Sequence, residues 1–156
     1  MITTLNFIRL FKEKPLTLEA ATEVASNLLK ADFKELTEGH GMSPEDLPSL
    51  AIKEESSYSA EYILNGRTAA MGGVLKNGQV WLLCTPLIKK YPLAFARGIN
   101  QVVNNRPEPL LWNIVDKRNT THLKLLKFLG FKFLRELHYG PNNLLFIEFC
   151  RLCTAN

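Results

Sequence analysis

Leu110-Leu111-Trp112-Asn113-Ile114-Val115-Asp116-Lys117-Arg118-Asn119-Thr120-Thr121-His122-Leu123-Lys124-Leu125-Leu126-Lys127-Phe128-Leu129-Gly130 changes its hydrophobic period once. Leu110–Val115 is short and almost wholly apolar, which predicts a strand covered on both faces. From Asn119 the spacing becomes helical. His122, Leu125, Leu126 and Leu129 fall on one face, Asn119 is placed to cap the first turn, and Gly130 is placed to stop the last. A buried strand running directly into a capped amphipathic helix points to an α/β fold.

The elements on either side extend that order. Residues 2–10 alternate loosely and read as a strand. Thr17 caps a helix whose face is Ala21, Val24, Ala25 and Leu28, and a further helical stretch, 31–36, ends at Gly39-His40-Gly41. Ser43-Pro44-Glu45-Asp46 reads as another helix start, with Pro48 in its first turn. Tyr58–Leu64, the turn Asn65-Gly66, Arg67–Leu75, the turn Asn77-Gly78 and Gln79–Cys84 form a meander. Gly72-Gly73 marks a bulge or a close backbone approach in it. Leu87–Asn104 is expected to be one helix with Pro92 in its first turn and a stripe of Leu93, Ala96, Ile99 and Val103. Phe131–Leu137 and Leu144–Leu152 close the chain as strands. The order is β-α-α-β-β-β-α-β-α-β-β, a mixed sheet with helices on both faces.

The 156 residues fit one domain, 1–156, with 46% apolar and 22% charged residues, an ordinary globular composition. The net charge is +4 and the pI is near 9.0, so an anionic ligand is permitted but not required. Three cysteines do not make a disulfide framework, and a reducing cytoplasm is the expected location. The opening Met-Ile-Thr-Thr-Leu-Asn lacks the features of a signal peptide, and no apolar run is long enough to span a bilayer.

Asn113 through Asn119, followed at fixed distance by Phe128-Leu129-Gly130-Phe131, resembles the GNAT (N-acetyltransferase) superfamily, as does the element order. The chain looks closest to GNAT-like proteins of short-tailed bacteriophages, internal virion proteins and acetyltransferase-like proteins. The matching pieces are Ala31-Asp32 with Glu35-Leu36, Val80-Trp81-Leu82-Leu83-Cys84-Thr85, and Asn113-x-Val115-Asp116-x-x-Asn119, over roughly residues 18–135. The resemblance implies one GNAT-like α/β domain in which the strands Gln79–Cys84 and Leu110–Val115 splay apart around acetyl-coenzyme A. It implies coenzyme contacts from the backbone of 82–85, hence Leu83, Cys84 and Thr85, from Asn119, and from a pyrophosphate loop at 84–92.

Two departures from the family pattern bear on activity. The loop Cys84-Thr85-Pro86-Leu87-Ile88-Lys89-Lys90-Tyr91-Pro92 has no glycine and two prolines, which remove N–H donors, and leaves Lys89 and Lys90 to supply charge. Leu126 stands where many members carry a tyrosine general acid. Acetyl-coenzyme A binding is therefore expected to be weak or absent. The first expectation is a divergent or degenerate acetyltransferase fold that binds a host bacterial protein or a virion protein, in the cytoplasm of the infected host or in the virion. The alternative is an active acetyl-coenzyme A-dependent N-acetyltransferase acting on a host protein or a small amine.

Several side chains admit both a chemical and a structural reading. Glu35 and His122 are the candidates for acid–base catalysis. Asp32, Glu35 and Glu38 share a helix face that is otherwise a solvated acidic surface. His122 also reads as a half-buried, hydrogen-bonded core histidine, and Asn119 as a cap, a ligand contact or both. Cys150-x-x-Cys153 reads as structural, and no metal spacing is present. Lys117, Arg118, Lys124, Lys127, Lys132 and Arg135, joined by Lys89 and Lys90, form a basic cluster, either a solvated surface or a phosphate contact. Few aromatics interleave it, so a stacking platform for single strands is not expected; a nucleic-acid-binding module is a third reading that rests on this cluster alone, and neither nucleic acid nor a membrane is the expected partner. Trp81, Tyr91, Phe95 and Trp112 are expected to pack near the splayed strands.

Overall fold

The computed structural model describes residues 10–153. Its first strand, β1, is Phe11–Pro15 and pairs antiparallel with β2, Ser56–Leu64. The strand expected at 2–10 falls mostly outside the described residues. Helix α1, Leu18–Ser26, is capped as its sequence predicts: the Thr17 side chain accepts from the Ala20 N–H and the buried face is Ala20, Ala21, Val24 and Ala25. Helix α2, Lys30–Lys34, runs on into a π-helical turn, Glu35–Gly39, whose wide winding has no signature in the residue pattern. Ser43-Pro44 does not open a helix. Residues 44–46 form a turn, and α3 spans Leu47–Lys53, with Pro48 in its first turn as expected.

The meander is present. Strand β2 turns through Asn65-Gly66, both at positive φ, into β3, Arg67–Leu75, which pairs with β4, Val80–Cys84. Gly72 and Gly73 lie in an unbroken register and mark close approach rather than a bulge. A Cβ on Gly73 would lie 2.6 Å from the Tyr58 carbonyl oxygen, and one on Gly72 would lie 2.9 Å from that of Trp81.

The helix expected over 87–104 is two helices, α4 (Leu87–Lys90) and α5 (Pro92–Asn104), because the chain breaks at Tyr91, φ −129° and ψ 56°. The break resets which side of α5 meets the sheet. Ala94, Phe95, Gly98 and Ile99 are buried, whereas Leu93, expected on the stripe, is 48% exposed.

Strand β5, Leu110–Asp116, pairs antiparallel with β7, Leu144–Leu152, which pairs with β6, Lys132–Tyr139. The architecture is one α/β domain built on two antiparallel sheets, β1-β2-β3-β4 and β5-β7-β6. Among the described residues the sheets meet at a single parallel bridge, Gln79 to Trp112. Beyond that bridge β4 and β5 diverge, as the reading of 79–84 and 110–115 requires. Strand β5 is not covered along its whole length: Leu111, Val115 and Asp116 are buried, while Trp112, Asn113 and Ile114 are half-exposed, and Asn113 and Ile114 border the gap.

Helix α6, Thr120–Phe128, follows β5 with Asn119 as its cap. Its end is a Schellman closure: the Gly130 N–H donates to Lys127 and the Phe131 N–H to Leu126, with Gly130 at φ 82°. Leu126 and Leu129 are buried and Leu125 is partly so. The expected aromatic group does not form one cluster. Trp81 packs under α1 and α3, Tyr91 and Phe95 join the main core, and the Trp112 indole donates to the Asn77 carbonyl at 3.1 Å. Among the described residues no helix is long and apolar enough to cross a membrane.

Candidate functional site: the fork between β4 and β5

In an antiparallel pair, alternate residues turn their N–H and C=O toward the partner strand and the others turn away. The carbonyl of Gln79 and the N–H of Thr85 bond back to β3, at Leu75 and Ala69. Val80, Leu82 and Cys84 therefore turn their backbone groups into the fork. At the narrow end, Asn113 Nδ2 donates to the Val80 carbonyl at 2.6 Å, bridging the strands just as their backbones part. At the wide end, α2 fills the gap. The Leu29 N–H donates to the Cys84 carbonyl at 2.8 Å, and the Cys84 N–H donates to Asp32 Oδ2 at 2.8 Å.

One helical turn further on, Glu35 Oε1 accepts the Asp116 N–H of β5 at 2.8 Å. The two carboxylates, three residues apart on one helical face, thus take up the end of each splayed strand. Asn119 joins them, its Nδ2 lying 2.9 Å from Asp32 Oδ1 and 3.4 Å from Glu35 Oε1 while its Oδ1 accepts the His122 N–H. Asn119 is both a helix cap and a cross-link.

The side chains at this junction are not a solvated acidic face. Asp32 is 1% exposed, and only Glu38 of the three acids is exposed. Asp32 is paired with His122, whose Nε2 lies 3.0 Å from Oδ1 and whose side chain is 11% exposed. For His122 burial opposes the charged form, but the Asp32 carboxylate outweighs it and holds the imidazole pKa well above its usual value. Burial likewise pushes Asp32 upward, and the His122 charge with hydrogen bonds from His122, Asn119 and Cys84 brings it below its usual value. Glu35 goes the other way, since burial outweighs the pull of His122 and of the Asp116 N–H. The Cys84 thiol is pushed up to about 11, chiefly by burial.

A second contact ties the fork to the far sheet. The β6–β7 hairpin tip lies directly on the π-helical turn. A Cβ on Gly140 would collide with the Gly39 carbonyl oxygen, and Asn142 Nδ2 donates to the Glu38 carbonyl at 2.9 Å. His40 lies between Tyr139 and Phe146, with Nδ1 3.1 Å from the Tyr139 hydroxyl, and burial holds its pKa below the usual value. A cavity of about 350 Å³ remains inside the fork, lined mainly by apolar side chains such as Leu82, Ile99, Val102 and Leu111, with Asp32, Glu35 and His122 at one wall.

The candidates of the sequence reading are thus partly gathered. Glu35, Cys84, Asn119 and His122 meet at the junction, together with Asp32. Leu83 turns its backbone to β3, and the Thr85 hydroxyl bonds the Ala69 carbonyl at 3.1 Å. Lys89 and Lys90 are exposed on α4, away from the junction network, and Lys90 lies over the Tyr91 ring. Three of the eight residues of the basic cluster are ion-paired: Lys117 with Glu136, Arg118 with Asp116 and Glu38, and Arg135 with Glu148.

These residues do not fit a pantetheine arm laid along β4. Of residues 82–85, Cys84 has both backbone groups engaged by α2 and its preceding loop, Leu83 and Thr85 face β3, and only Leu82 turns its amide to the cavity. Nor does the following loop offer a nest of donors, since the Ile88 and Lys89 N–H groups close turns onto Thr85 and Pro86.

The architecture is that of the GNAT acetyltransferases. The chain resembles the ribosomal-protein-S18-alanine N-acetyltransferase of Escherichia coli, with a TM-score of 0.66 and 17% identity over 94% of this chain and 96% of that one. It also resembles a GNAT-family acetyltransferase of Streptococcus pneumoniae, with a TM-score of 0.63 and 13% identity over 92% and 99%. A third structure is AAC(6')-Ib in complex with paromomycin and acetyl-coenzyme A, with a TM-score of 0.63 and 14% identity over 91% and 93%. No protein-family model and no curated protein sequence matches the chain.

Proposed function

We propose that this protein uses the acetyltransferase fold to bind another protein and has given up acetyl-coenzyme A transfer. One observation carries the reading: Asp32 and Glu35 take up the Cys84 and Asp116 N–H groups, so the fork is closed by the chain's own carboxylates. A pantetheine amide entering there has to displace one buried and one part-buried hydrogen bond from backbone to carboxylate. Leu126, where many members of the family carry a proton donor, supports the same reading. Following the resemblance to short-tailed bacteriophage proteins, the partner is a host bacterial protein or a virion protein, met in the infected cytoplasm or in the particle.

The surface that supports a protein contact is the edge strand β6. Phe133 and Leu134 are 41% and 54% exposed, Phe128 lies nearby in sequence at 52%, and a register shift between Phe133 and Arg135 leaves Leu134 without a cross-strand partner. The test is calorimetric titration with acetyl-coenzyme A, a thiol-release assay with host extract, and isolation of a stoichiometric complex. No coenzyme heat, no thiol release and a one-to-one complex weakened by Phe133→Asp are expected. Micromolar coenzyme affinity with turnover overturns the proposal in favour of an active N-acetyltransferase, the reading that the inward-facing Leu82 amide favours.

A further inference from the structure

Asp32, Cys84 and His122 come from three different elements, separated by 52 and 38 residues, yet each offers one donor atom within 4.8 Å of the other two. We propose that these three side chains bind a zinc ion that clasps α2, β4 and α6 together, with a fourth coordination position turned toward the cavity. The donor set is a thiolate, an imidazole nitrogen and a carboxylate oxygen, the combination that suits zinc rather than magnesium or calcium, which take oxygen ligands. A tetrahedral zinc ion with ordinary bond lengths places such donors about 3.3–3.6 Å apart. His122 Nε2 and Asp32 Oδ1 are already 3.0 Å apart, and all three donor atoms lie within 4.8 Å of one another, so shifts of about 1 Å complete the geometry.

The surroundings hold the donors in place. Asn119 Nδ2 and the Cys84 N–H fix the two oxygens of Asp32, and each carboxylate oxygen keeps a lone pair for a metal. His122 lies in the first turn of α6, tied by its own N–H to Asn119. Asp32, Glu35 and His122 line the cavity while Cys84 lies behind them, so the open position faces the cavity and Glu35 borders it. Binding releases the Cys84 thiol proton and the proton held between His122 Nε2 and Asp32, and forms three metal–ligand bonds. The inference stands apart from the proposed function, because a clasp of this kind is compatible with coenzyme binding or with its absence.

Cobalt(II) is the probe. The chain has three cysteines, and in the variant Cys150→Ser/Cys153→Ser the only thiol is Cys84. That variant is expected to bind one equivalent of Co²⁺ at micromolar concentration. A thiolate-to-cobalt charge-transfer band in the near ultraviolet and intense visible bands of a tetrahedral site should appear, and Zn²⁺ should displace both. His122→Gln is expected to weaken binding more than 100-fold, and Cys84→Ser to abolish the charge-transfer band. Absence of the band in the Cys150→Ser/Cys153→Ser variant overturns the proposal whether or not Cys84→Ser folds. Persistence of the band in a folded Cys84→Ser protein overturns it too.

Discussion

Asp32 carries more of the fork than any other side chain, because it accepts from Cys84, Asn119 and His122 at once. Removing one partner of a buried pair leaves the others unsatisfied, which typically costs about 3–5 kcal/mol. Asp32→Ala, measured by urea denaturation in chelator-containing buffer, is expected at the lower end, about 3 kcal/mol, because His122 can become neutral. Asp32→Asn keeps the acceptor oxygen and should cost less. An unchanged midpoint in Asp32→Ala would show that the network does not hold α2 in the fork. The sequence reading takes these residues one at a time. It singled out Glu35, His122, Cys84 and Asn119 separately, and it placed Asp32 on a helix face with Glu35. Nothing in linear spacing brings residues 32, 84 and 122 together, since their meeting is set by three long connections. The pairing of Lys117 with Glu136 and of Arg135 with Glu148 likewise joins residues more than ten positions apart and has no mark in local spacing.

The elements were legible where a local rule fixes them. The Thr17 and Asn119 caps, the Asn65-Gly66 turn and the Gly130 stop each rest on one residue's chemistry. The break at Tyr91 has a local cause in Pro92, which disfavours the helical conformation of the residue before it, whereas the π-helical turn left no mark. The helix end makes a sharp test: Leu129 is 5% exposed, and Leu129→Ala is expected to cost ~2–5 kcal/mol in the denaturation midpoint. A change within error would place that face outside the core. The hairpin on the π-helical turn gives a pH prediction. His40 is held below its usual pKa by burial, so on acidification through about pH 6.5 the unfolded chain takes up a proton before the folded one does. That contribution to stability is present above the unfolded pKa and is lost as pH falls toward the folded one. Wild type is therefore expected to lose more stability than His40→Gln between pH 7 and pH 5. Both carry the same His122, and equal losses would mean that His40 titrates freely. Asp116, Tyr139 and Phe146 face the ring, and the Asp116 carboxylate works against the shift without cancelling it.

At the scale of the whole molecule, two antiparallel sheets touch at a parallel bridge, diverge, and are rejoined by a helical segment whose carboxylates serve both strand ends. Under the proposed function, a pantetheine arm would need those strand ends free. The central claim is that the Cys84 and Asp116 amides are committed within the chain, leaving Leu82 alone facing the cavity. The most direct test follows the amide resonances of Leu82, Cys84 and Asp116 in ¹⁵N-labelled protein during titration with acetyl-coenzyme A. The account predicts that none of the three shifts as the coenzyme reaches millimolar concentration, while Asp32→Ala moves the Cys84 resonance strongly. Saturable shifts of Leu82 and Cys84 at micromolar coenzyme would contradict it.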